Sequence, residues 1–148
     1  MKNKNQYSIE DLLDVMSELR NKCPWDQKQT FDTLKKLTIE ETYELVDAID
    51  KKKYDDIKDE LGDLLLHIIF YSKIASESNK FNFNDVLNSL IEKLIYRHPH
   101  VYGDIKVSSI DEVKKNWERL KIKDKNKGIL SGIPNHLPSL IKAHRVQD

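Results

Sequence analysis

Apolar residues return every three or four positions along most of this chain, and the places where that rhythm stops mark off five segments. Leu12, Leu13, Met16 and Leu19 recur at helical spacing behind Ser8-Ile9-Glu10-Asp11, an arrangement resembling a capping box, until Cys23-Pro24 ends the run. CPWDQKQTFD then reads as a loop. A second helix is expected from Thr30 or Asp32 to about Asp50, closed by Lys51-Lys52-Lys53, whose charge suits a helix C-terminus. The third, from about Tyr54 to Ser78, is apolar nearly all round between Leu61 and Tyr71, which predicts a buried element. The fourth begins at Asn84 or Asp85, carries Val86, Leu87, Leu90, Ile91 and Leu94, and stops at Arg97-His98-Pro99. The fifth follows Ser109, with Glu112 as capping partner, and runs through Trp117 to about Lys121. No segment reads convincingly as a strand, so the expectation is an all-α bundle of about five helices with short connections. Residues 1–121 are expected to form one helical domain, and residues 122–148 a charged linker with a short terminal helix.

Carboxylates break the apolar pattern in two places. At about 100° per residue, Leu34, Leu37, Leu45 and Ala48 make one stripe on the second helix; Glu41 falls in its middle, Glu44 beside it and Glu40 nearer its edge. On the third helix Glu60 borders the stripe of Ile57, Leu61, Leu64, Ile68 and Tyr71, while Asp63 and His67 interrupt the far side of the apolar wall. Burying unpaired carboxylates costs several kcal/mol each, so a cluster of them calls for a cation. Glu41 with Glu44, and Glu60 with Asp63, share a helix face at i, i+3, so two neighbouring helices could offer four oxygen donors to one cleft. Hard oxygen donors favour Mg²⁺, with Mn²⁺ as the alternative, over zinc. The plainer reading, a solvated acidic helix face with ELGD as a salt-bridge partner, stays open at this point. A di-iron carboxylate bundle does not fit, because no Glu is followed three residues later by His.

Charge and length narrow the field. The 148 residues hold 25 Lys+Arg against 25 Asp+Glu, so no net basic field favours nucleic acid or an anionic membrane, and neither is expected as a partner. Cys23 is the only cysteine and cannot form an internal disulfide; with no signal-like leader and no apolar run of about 20 residues, a cytoplasmic soluble protein is expected. Lys93 and Arg97 stand one turn apart at the edge of the fourth helix's stripe, within reach of a phosphate chain. Trp117 and Lys121 stand one turn apart on the fifth. Each pair alone reads more simply as packing. His98-Pro99-His100 reads as a helix-ending segment, Cys23 as a packed side chain, and Trp25 as either cleft lining or a plug for the bundle. Glycine-rich phosphate loops are absent from the sequence.

Taken in order, CPWDQKQTFDTL, LTIEETYELVDAI, DELGDLLLHIIFYSKIA, FNFNDVLNSLIEKLIYRHPHVYGD and NWERLK resemble the MazG nucleoside triphosphate pyrophosphohydrolases of the all-α NTP pyrophosphatase group. The family pattern EExxE, spacer, ExxD is met by Glu40-Glu41-x-x-Glu44 and Glu60-x-x-Asp63, fifteen residues apart. The resemblance implies Glu41, Glu44, Glu60 and Asp63 as Mg²⁺ ligands, Lys93 and Arg97 as triphosphate-binding residues, and Trp117 and Lys121 as nucleotide contacts. It implies hydrolysis of nucleoside triphosphates to the monophosphate and pyrophosphate, in a homodimer or larger assembly. Glu40 and Glu41 are the expected catalytic carboxylates, with Glu40 orienting the water. Many members carry two such domains, and LPSLIKAHRVQD resembles their connector. The rival expectation is therefore a nucleotide- and metal-binding dimerisation or regulatory domain of a two-domain protein.

Overall fold

The computed structural model describes residues 6–125 together with 138 and 139, and among these there is no strand. Seven helices follow in order: α1 (Ile9–Lys22), α2 (Pro24–Lys28), α3 (Phe31–Asp50), α4 (Tyr54–Glu77), α5 (Phe83–Arg97), α6 (Pro99–Tyr102) and α7 (Ile110–Lys125). They divide into two compact units, Met1–Asn88 and Ser89–Asp148, the break falling within α5. The linker and short terminal helix expected over residues 122–148 lie mostly outside the described residues.

In the first unit the caps are local and reciprocal. Ser8 Oγ accepts from the Asp11 amide at 3.3 Å while Asp11 Oδ2 accepts from the Ser8 amide at 3.0 Å, and Thr30 and Thr33 repeat the exchange at the start of α3. Each such cap stabilises its helix by about 1 kcal/mol. The α3–α4 turn is closed by Lys52, at φ 55°, whose amide donates to Ile49 O (3.0 Å) while the Lys53 amide donates to Ala48 O (3.1 Å). This is a Schellman ending made without glycine, and it sends α4 back antiparallel along α3. Asn79, at φ 52°, ends α4 in the same way.

Met16, Leu34, Ile69 and Phe70 form the buried centre, with Leu12, Leu13, Leu37, Leu66, Tyr71, Ile74 and Phe83 packed against it. Two expectations change here. The CPWDQKQTFD loop contains a helix, α2, because Pro24 sits at its first turn and its last carbonyls find a donor. Arg20 donates through Nη1 to Asp26 O, and to Gln29 O at 3.2 Å, while its other nitrogens grip Glu77 at 2.9 and 2.5 Å. Nor is α4 buried all round. His67, Ile69, Phe70, Ser72 and Ala75 are covered, but Leu61 (53% exposed), Leu65 and Ile68 are not. The helix carries two apolar faces, and α1 and α3 cover one.

On α5 Arg97, placed by pattern at the edge of an apolar stripe, is the one buried residue, whereas Leu87, Leu90, Ile91 and Leu94 are exposed along the helix. His98 closes α5 by a 2.7 Å contact from its Nδ1 to Leu94 O, and α6 is a single turn beyond it. A Cβ on Gly103 would stand 2.9 Å from Pro99 O, so the chain's close return here requires glycine. At the start of α7, Glu112 Oε2 accepts from the Ser108 amide at 2.7 Å. The helix then continues four residues past the expected end at Lys121. Among the described residues, no helix is long and apolar enough to cross a membrane.

Candidate functional site

The antiparallel course of α3 and α4 sets the middle of one helix against the first turns of the other, and three carboxylates meet there. Glu41, Glu60 and Asp63 each place an oxygen within 4.8 Å of the others. The α3 stripe is as its spacing requires: Leu34 and Ala48 are buried, Leu37 and Leu45 half-buried, and Glu41 sits half-buried between them. Glu44 is exposed and outside the trio. It lines an open cleft of about 410 Å³ together with Tyr43, Asp47, Ala48, Asp56 and Glu60. Glu40 is exposed, and its charge is the weakest of the influences on Glu41.

The trio repels itself. Burial first, and then the charges of Asp63 and Glu44, push the Glu41 carboxyl above its ordinary range. Burial likewise leads the upward shift of Glu60, followed by Glu44, Glu41 and Asp63. The hydrogen bond between the two acts in opposite directions, lowering Glu41 and raising Glu60. The other Glu60 oxygen, Oε2, is buried with no hydrogen-bond partner. A buried acceptor in that state wants a cation or a proton. An all-carboxylate donor set opening on a cleft fits a hard divalent ion that keeps several waters, so the residues present suit Mg²⁺ or Mn²⁺.

His67 is the residue at this site whose importance the sequence pattern understates. It lies one turn beyond Asp63 on the same face of α4, only 6% exposed, its ring 6.4 Å from that of Tyr71. Burial lowers its pKa and Asp63 opposes that shift. The Asp63–His67 spacing, i and i+4, was the available signal. Tyr71 in turn stacks on Phe31 at 5.4 Å and shares a 2.7 Å hydrogen bond with Thr38 of α3, which pins the two helices together just below the acids.

The cationic residues lie in the second unit. Arg97 and Lys121 gather over the Trp117 ring, with the Arg97 guanidinium carbon 5.7 Å and Lys121 Nζ 4.5 Å from its centroid. Lys93 is exposed one turn before Arg97 on α5. Trp25, left open between cleft and plug, sets its ring edge against Phe70 at 6.5 Å, more than half exposed, and so caps the core. Cys23 is a half-buried hinge between α1 and α2. His98 and His100 join no metal-competent group among the described residues.

Comparison with known proteins decides the family. The MazG nucleotide pyrophosphohydrolase domain matches residues 29–102, which span α3, α4 and α5 with all four acids, Lys93 and Arg97. The chain belongs to the MazG family. This MazG domain is 42% identical over 146 residues to the nucleoside triphosphate pyrophosphohydrolase of Escherichia coli K12, covering 94% of the chain and 56% of that protein. It is 44% identical over 145 residues to the nucleoside triphosphate pyrophosphohydrolase/pyrophosphatase MazG of Thermotoga maritima, covering 95% of the chain and 55% of that protein. The chain thus spans little more than half the length of these relatives. The fold matches the crystal structure of a mazG-related protein from Thermotoga maritima with a TM-score of 0.65 at 26% identity, over 76% of this chain and 97% of that one.

Proposed function

We propose that this domain is a divalent-metal-dependent pyrophosphohydrolase that cleaves the α–β phosphoanhydride of nucleoside and deoxynucleoside triphosphates, releasing the monophosphate and pyrophosphate. The observation that carries this is the Glu41, Glu60 and Asp63 cluster, whose oxygens converge with one of them buried and unpartnered. Glu44 completes the ligand set from the rim of the cleft. The bound ion, Mg²⁺ or Mn²⁺, supplies charge neutralisation for the triphosphate and lowers the pKa of water. Glu40 and Glu41 orient the attacking water and take up its proton; Lys93, Arg97 and Lys121 offset charge on the phosphates as pyrophosphate leaves. The names of the Escherichia coli and Thermotoga maritima relatives support the reaction class.

A homodimer is part of this proposal. Ile39, Tyr43 and Val46 on α3, and Leu61, Leu65 and Ile68 on α4, repeat at i, i+4, i+7 and are all more than a third exposed. Two such stripes on one hairpin favour a second copy as the cover. A cytoplasmic location, with neither nucleic acid nor membrane as partner, agrees with the even charge and with the lack of a spanning helix among the described residues.

Since the chain spans 56% of the Escherichia coli relative, the second reading is a binding and dimerisation module of a longer protein. Pyrophosphate release from a panel of NTPs and dNTPs, with and without Mg²⁺ or Mn²⁺, separates the two. Metal-dependent release supports the enzyme; nucleotide binding without release at any metal concentration supports the module.

A further inference from the structure

His67 is a polar side chain buried on α4, in a place that an apolar one would fill at lower cost. It is 6% exposed, and among the described residues its Nδ1 is buried with no hydrogen-bond partner. A buried nitrogen in that state costs folding free energy that leucine or phenylalanine would not. The ring is nevertheless held. It meets the Tyr71 ring in an edge contact at 6.4 Å, and the Tyr71 hydroxyl is tied to that of Thr38 on α3 at 2.7 Å. Glu41 follows Thr38 by one turn of α3, and Asp63 precedes His67 by one turn of α4, so the imidazole lies at a level between the hydroxyl pair and the carboxylates.

The three acids are not equally anchored. Glu41 and Glu60 share a hydrogen bond, whereas Asp63 is the exposed member of the trio. Ionised carboxylates only accept hydrogen bonds, and an imidazole carries at least one N–H in either protonation state. Carboxylates that bind a metal are themselves held by outer donors, and those donors tune the affinity. We propose that His67 is a positioning residue whose imidazole N–H donates to Asp63 in the metal-loaded protein and holds that carboxylate in place for the ion. This rests on the reading of Glu41, Glu60 and Asp63 as a metal site, and it accounts for a histidine on a covered face of α4.

The test reads metal binding without nucleotide or turnover. The free Mn²⁺ signal in electron paramagnetic resonance gives the affinity of wild type, His67→Phe and His67→Gln, with melting curves in EDTA on the same samples. His67→Phe keeps a flat ring of similar size and loses both nitrogens. Its Mn²⁺ affinity is expected to fall about tenfold or more, while its Tm in EDTA stays level or rises because the unpartnered nitrogen is gone. His67→Gln restores an N–H donor and should recover most of the lost affinity. His67→Leu carries the phenylalanine expectation if that variant does not fold. Unchanged Mn²⁺ affinity in the apolar variant overturns the inference. So does an equal loss in the glutamine variant, or a loss matched by a lower Tm in EDTA, which would make His67 a packing residue. Wild type that binds no Mn²⁺ at millimolar concentration brings down the metal-site reading itself, and the inference with it.

Discussion

Replacing Glu41 by Gln should raise the stability of the metal-free protein while abolishing Mg²⁺-dependent pyrophosphate release. The amide keeps the shape of the side chain among Leu37, Leu45 and its neighbours and can still hydrogen-bond Glu60, but it removes one charge from a cluster whose oxygens lie within 4.8 Å. At that separation two carboxylates repel by about 1 kcal/mol in water and about 3.5 kcal/mol at an effective dielectric near ~20. The exposure of Asp63 puts the pair toward the lower figure. A relief of about 1 kcal/mol in a chain of this size raises Tm by roughly 3 °C. The sign depends on pH in a defined way. A carboxyl whose folded pKa is raised contributes stability that is fully present below its unfolded pKa and lost as pH rises through the folded value. Wild type without metal should therefore lose stability as pH climbs from about 4.5, and Glu41→Gln, lacking that group, should gain on it progressively, with no advantage at pH 4 and its full advantage by pH 8. Melting curves in EDTA across that window, paired with turnover in Mg²⁺, make the measurement. An unchanged or lowered Tm at pH 8 refutes the self-repelling cluster, and turnover near the wild-type rate refutes Glu41 as a metal ligand.

Three further expectations follow from the packing. Phe70→Ala, which empties a site 2% exposed beneath Trp25 and Arg20, should destabilise by about 3–5 kcal/mol in denaturant titration; a loss under 1 kcal/mol would mean that Phe70 is not central to the core. Lys93→Ala should weaken triphosphate binding with little change in Tm, whereas Arg97→Ala should lower both, because Lys93 is exposed and Arg97 is buried over Trp117; equal Tm losses for the two would contradict that distinction. Gly62→Ala adds a Cβ that meets nothing within 4 Å in the interior of α4 and should stabilise by about 1 kcal/mol. A fall in Tm that deepens with dilution would show instead that a second chain packs close against this glycine.

The helices and their caps were legible because the signals are local: Ser8 with Asp11, and the apolar rhythm from Leu34 to Ala48, each depend on residues within a few positions. Lys52 shows where local reading stops. Its left-handed backbone closes the α3–α4 turn, a place where glycine or asparagine would have advertised the ending and lysine does not. α2 was missed because its last carbonyls are satisfied by Arg20, on α1 and anchored to Glu77 of α4, a partnership no short window contains. At the site, helical spacing pointed Glu41, Glu60 and Asp63 toward one cleft, and the three-residue turn between α3 and α4 brings an oxygen of each within 4.8 Å of the others. Spacing alone could not tell that Glu44 lines the rim of the cleft while the oxygens of the other three converge.

The errors made about burial share one cause. An apolar periodicity reports that a face will be covered but not by what, so Leu61, Leu65 and Ile68 were placed in the core of a single chain although α1 and α3 cover only the opposite side. Arg97 is the reverse case: a cation counted as peripheral is the buried residue of α5, its guanidinium lying over an indole twenty residues further along the chain. Apolar stripes and buried cations thus carry the same kind of information. Each marks a face whose partner lies outside its own helix, and for Arg97 that partner is Trp117, whereas for the exposed stripes of α3 and α4 the proposed homodimer supplies it.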